Sequence, residues 1–165
     1  MILVTVGTEK FPFDRLMKWI NHLIQEDFIN IEQEEIIIQC GSCTFIPTGV
    51  KNYSIVPSEK FKNYVEEARL IIAHCGEGTI DLLAKMNKSF ILVPRSCRFG
   101  EHIDEHQLEL ADMMEKQGVA IARCPGDLVR FLMTPQNVEL TTTPTDYYYS
   151  TTQSLEAMIT AKAFE

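Results

Sequence analysis

The run Leu70-Ile71-Ile72-Ala73 constrains this chain more than any other feature, because four apolar residues bounded by turn signals are too few for a helix and suit a buried strand. It stops at His74-Cys75-Gly76-Glu77-Gly78-Thr79, after which apolar residues return at helical spacing. The stretch reads as strand, glycine turn and helix start. Comparable runs at Ile2 to Val6, Ile36 to Gln39, Tyr53 to Val56, Phe90 to Val93 and Val119 to Ala122 alternate with helical patterns. This alternation predicts an α/β fold, a Rossmann-like open parallel sheet covered by helices on both faces.

In such a sheet ligands sit beyond the carboxyl ends of the strands, so the 74–79 turn and the loop after Pro94 are expected to face one crevice. Gly76 and Gly78 let the backbone pass close to a ligand, and the N–H groups of a new helix carry partial positive charge. That turn suits a phosphate or diphosphate. The polar loop Gly100-Glu101-His102-Ile103-Asp104-Glu105-His106-Gln107 is placed to read whatever group the phosphate carries. Gly7-Thr8 forms another strand-to-helix turn on the same side, either a plain tight turn or a further border of the ligand.

A chain of 165 residues with 45% hydrophobic content supports one globular domain, and no shift in composition divides 1–165 into two. The net charge of -8 argues against a nucleic-acid surface or a direct grip on anionic lipid. No apolar run approaches the roughly 20 residues of a membrane span, and the amino terminus leads straight into a strand, so a cytoplasmic location is expected. Five cysteines, an odd number in a chain large enough to fold unaided, fit reduced thiols.

Pro12 and Asp14 suit the start of a helix that carries Leu16, Ile20, Leu23 and Ile24 on one face. Ser58 is a plausible N-cap for a second helix, whose Phe61, Tyr64, Val65 and Ala68 read as a core stripe. A short helix follows Pro125. Cys40-Gly41-Ser42-Cys43 has the form of a redox pair or half a zinc site, yet it runs into loop, and no second pair has zinc spacing; structural thiols are favoured. His102 and His106, with Glu101 or Glu105, can be drawn as a metal site for a hydrolase. The order is not HExxH, a third ligand is unidentified, and polar helix-start residues account for the cluster. The polar break at 141–146 leads to Tyr147-Tyr148-Tyr149 and a last helix from about Thr152 to Ala163. Its narrow stripe of Leu155, Met158 and Ile159 either packs back on the domain or docks on another protein.

His74-Cys75-Gly76, the small residues at 78 and 79, and the downstream His106-Gln107 together resemble the donor-binding half of GT-B glycosyltransferases, more closely the family 28 C-terminal domain. Val4-Thr5-Val6-Gly7-Thr8, Phe13-Asp14-Arg15-Leu16 and the run from Phe99 to Leu110 resemble its small free-standing form. That form includes the donor subunit of the dolichol-pathway N-acetylglucosaminyltransferase and bacterial subunits of capsule and exopolysaccharide assembly. The likeness extends to about Ala122.

The resemblance implies transfer of a hexose from a UDP-sugar to a lipid-linked saccharide, with inversion and with no cofactor or required metal. It implies that His74, Gly76, Glu77, Gly78 and Thr79 meet the donor diphosphate, bordered by Gly7 and Thr8. Gln107, His106 and Glu101 would meet the donor sugar, with His106 also a candidate base. Relatives usually carry a glutamate for the ribose where this chain has Leu82, and Asp81 would point about 100° away on a helix. A complete GT-B enzyme has two such lobes, so a membrane-anchored acceptor-binding subunit is the expected partner, drawing the chain to the inner face of the plasma membrane. A non-catalytic enhancer subunit is the alternative.

Overall fold

The computed structural model describes residues 1–134, 140 and 143–146. The last predicted helix, with Leu155, Met158 and Ile159, lies outside them. Six parallel strands form one sheet: β1 (Ile2–Thr5), β2 (Ile36–Gln39), β3 (Lys51–Tyr53), β4 (Leu70–His74), β5 (Phe90–Val93) and β6 (Ala120–Ile121), in the order β3-β2-β1-β4-β5-β6. Five helices connect or follow them: α1 (Asp14–Gln25), α2 (Ser58–Glu67), α3 (Glu77–Lys85), α4 (His106–Lys116) and α5 (Pro125–Met133).

Alternation along each strand feeds two cores. Ile2, Val4, Ile36, Ile38, Leu70, Ile72, Ile91 and Val93 face α1 and α5, whose Leu16, Met17, Ile20, Leu23, Leu128 and Phe131 close that side. Leu3, Ile37, Ile71, Ala73, Phe90 and Leu92 face Val65 of α2, Ile80 and Leu83 of α3, and Leu110, Ala111 and Met114 of α4. Burial on both faces is why these strands read as unbroken apolar runs rather than alternating ones. The sheet grows from β1 in one direction and from β4 in the other, and right-handed crossovers then place α1 and α3 on opposite faces. Where β1 pairs with β4, from Ile2 opposite Leu70 to Thr5 opposite Ala73, the two outgoing loops diverge and leave a crevice.

Two expectations are corrected. The third strand is Lys51–Tyr53 rather than 53–56, with Ile55 72% exposed and Val56 on a loop. An edge strand needs pairing to one neighbour and little apolar content, so its residues carry no strand-like pattern. The α2 stripe is only partly core: Val65 and Ala68 are buried, but Tyr64 stacks on Tyr53 at the edge and Phe61 lines the crevice. Ser58 begins α2 as its first residue, with Pro57 at the cap position.

Candidate functional site

The crevice beyond β1 and β4 is a cavity of about 400 Å³. One wall is the start of α3, with Gly76, Glu77, Gly78 and Thr79; the other is the turn after β1, with Gly7, Thr8 and Glu9. His74 forms the floor between them, and Val56, Ser58 and Phe61 border the far end. Every residue expected to meet the diphosphate thus lines one space. No lysine or arginine among the described residues does so.

Glycine is required at two points for a shared reason. A Cβ on Gly7, which has φ +74°, would lie 2.6 Å from His74 Nε2, and a Cβ on Gly76 would strike the same atom. The imidazole therefore occupies a slot that only bare backbone leaves open. His74 is 7% exposed, and burial pushes its pKa down to about 4, with the Arg95 charge adding to the effect and the Thr5 backbone opposing it. The ring is neutral at pH 7, a polar group that brings no charge of its own.

Gly78 has a different reason. A Cβ there would meet no atom of the described residues within 4 Å, so none of them requires glycine. Thr79 and Ile80 both donate to the Gly76 carbonyl, and no side chain caps α3, so its first N–H groups face the cavity ahead of the helical ladder. The helix start borders the cavity with donors and the positive end of its dipole.

Several residues that hold this geometry carry no recognisable motif. Gln39, at the end of β2, accepts from Thr5 Oγ1 at 2.6 Å and from Gly7 N at 3.1 Å, and donates to Gly7 O at 2.8 Å and Ser54 O at 3.0 Å. Arg95, wholly buried, donates to the carbonyls of Val6, Phe11 and Glu101 at 2.6, 2.8 and 3.0 Å and lies over the Phe13 ring. The end of β1 is thereby fixed from both sides.

The residues expected to meet the donor sugar are placed elsewhere. Glu101, 3% exposed, takes both guanidinium arms of Arg15, at 2.9 and 2.8 Å, and the N–H of Ser96. Gln107, 4% exposed, turns its Oε1 to the Arg95 N–H at 3.2 Å. The first turn of α4 points position 107 at the protein, and a buried amide there takes the nearest backbone partner. Neither lines the cavity. His106 reaches its rim, pairing through Nε2 with Glu77 at 2.6 Å. His102 is held separately by Asp104, and among the described residues no three His, Cys, Asp or Glu side chains converge as a metal site. Leu82 is half-buried, and Asp81 meets Thr145 instead of the cavity.

All five cysteines are free; Cys43 accepts the Phe13 N–H at 3.3 Å, and burial pushes its thiol up to about 11. It acts as a structural thiol. No helix among the described residues is long and apolar enough to cross a membrane.

Solved structures share this fold. MurG of Acinetobacter baumannii superposes with a TM-score of 0.52 at 17% identity, over 79% of this chain and 40% of MurG. The glycosyltransferase SnogD of Streptomyces nogalater gives 0.50 at 20% identity, over 73% of this chain and 30% of its own. ALG13 gives 0.50 at 17% identity, over 87% of this chain and 91% of its own. The chain thus spans less than half of the two larger enzymes. No curated protein matches it. The model of the glycosyltransferase family 28 C-terminal domain matches residues 1–140, and the chain belongs to that family.

Proposed function

We propose that this chain is the donor-binding subunit of an inverting two-component glycosyltransferase, which moves a hexose from a UDP-sugar to a lipid-linked saccharide in polysaccharide synthesis. The observation that carries the reading is the uncapped start of α3, facing a cavity floored by neutral His74. In-line attack on the sugar leaves negative charge on the departing diphosphate. Fixed amides and a helix dipole stabilise that charge without reorganisation and without a metal ion. The nucleoside then extends toward Val56 and Phe61, which give an apolar flank, and Ser58, which gives a hydroxyl.

The match covers 40% of MurG, and the cavity on this chain is read as the donor side alone. The acceptor, the membrane anchor and a base for the acceptor proton belong in this reading to a second subunit, with His106 at the rim as the candidate base on this chain. The partner then holds the complex at the inner face of the plasma membrane.

Titration with UDP and with UDP-glucose, UDP-galactose, UDP-glucuronic acid and UDP-N-acetylglucosamine in EDTA tests the proposal. Binding with metal removed is the expected result. No detectable binding, with the chain alone or with the protein encoded beside it, defeats the reading; binding without transfer in the reconstituted pair supports a non-catalytic enhancer instead.

A further inference from the structure

We infer that Gln39 is the positioning residue of this site, setting the Gly7 turn for the donor diphosphate and tying it to the loop at the far end of the same cavity. The inference rests on the donor reading above.

A glycine turn with φ +74° is a soft element, because glycine gives up more backbone freedom than any other residue when it is fixed. Its conformation must be imposed from outside. The Gln39 carboxamide does this with both of its ends. Its oxygen accepts the Gly7 N–H and the Thr5 hydroxyl, and its nitrogen donates to the Gly7 carbonyl, so one rigid plane holds both polar groups of the same peptide residue. The nitrogen's second proton goes to Ser54 O, on the strand-to-helix loop that continues to Val56 and Ser58. Gly41 lies against the back of the turn, where a Cβ would stand 2.7 Å from Gly7 O.

A carboxamide is the only side chain that offers an acceptor and two donors in one plane, and Gln39, 4% exposed at the edge of the cavity, uses all of them. Three of its four bonds hold Thr5 and Gly7 at the diphosphate end and one holds Ser54, so the diphosphate end depends on Gln39 more than the nucleoside end does. Gln39 lines the cavity beside Thr5, but its four bonds are all made to the chain. It acts through Gly7.

Two variants and one observation on the unmodified chain test this. Gln39→Leu keeps the volume and removes all four bonds, whereas Gln39→Glu keeps the two acceptor contacts and turns the two donor contacts into repulsion between oxygens. Both should speed amide hydrogen exchange at Gly7, and both should weaken UDP binding about tenfold or more while changing uridine binding less than about threefold. In the wild-type chain, UDP should shift the Gln39 side-chain NH₂ resonances and the Gly7 amide together, and uridine should shift them far less. Wild-type binding of UDP with unaltered affinity in both variants, or equal losses for UDP and uridine, overturns the role of Gln39 alone. Failure of the wild-type chain to bind UDP overturns the donor reading and this inference with it. Should Gln39→Leu not fold, Gln39→Glu and the wild-type resonances decide the matter.

Discussion

Gly76 and Gly78 show two ways in which one atom's absence can matter. At Gly7 and Gly76 the missing Cβ makes room for the chain's own imidazole, so substitution there damages the fold and the site together. At Gly78 the missing Cβ makes room for nothing among the described residues. Glycine in the first turn of a nine-residue helix costs up to about 1 kcal/mol relative to alanine, a cost that a close-approaching ligand would explain. Gly78→Ala is therefore expected to raise Tm while lowering UDP affinity about tenfold, two effects of opposite sign. Thermal unfolding and calorimetry on the same preparation check both. A variant that is more stable and binds UDP as well as wild type would remove Gly78 from the ligand contact.

Between elements, the decisive contacts join the loops after β1 and β5. Arg15 on α1 is enclosed by the rings of Phe13, Trp19 and Phe99, with centroids 5.2, 4.7 and 5.0 Å from its guanidinium carbon, and donates to Pro94 O as well as to Glu101. Removing the carboxylate leaves the partly buried cation with no counter-charge, so Glu101→Ala should cost about 3 kcal/mol of stability. UDP and UDP-sugar should weaken equally, if at all; a selective loss for the UDP-sugar at unaltered Tm would return Glu101 to the donor sugar. These joints were the least legible part of the sequence. The buried strands and the 74–79 turn declare themselves in four to six consecutive residues, because burial on both faces leaves one local pattern. Gln39 and Gly7 stand 32 positions apart, Arg95 and Val6 89, and Arg15 and Glu101 86. Nothing local distinguishes such a glutamine or arginine from a solvated one until the topology brings their loops together. In the 101–107 loop the sequence shows polar residues but not their partners: Glu101 and Gln107 bond to Arg15, Ser96 and Arg95, beside the cavity rather than in it.

At the scale of the whole molecule, charge runs against the proposed ligand. The chain carries a net charge of -8, and the described cavity lining adds Glu9 and Glu77 with no lysine or arginine to offset them. A diphosphate meets long-range repulsion from the acidic surface and short-range attraction from the α3 amides. Salt acts unequally on the two, since the screening length is about 10 Å at 0.1 M and about 3 Å at 1 M, while the amide contacts operate within hydrogen-bond distance. Raising salt from about 0.05 to about 0.5 M should therefore leave UDP affinity of the isolated chain unchanged or modestly stronger, opposite to a site built on lysine and arginine. Calorimetry across that range in EDTA measures the slope. An affinity that falls about tenfold would mean that cations clamp the diphosphate, and the helix start would lose its place as the principal anion ligand. Repeating the series with the partner subunit present locates any added cations: a slope that reverses only in the complex assigns the missing positive charge to the second wall of the cleft.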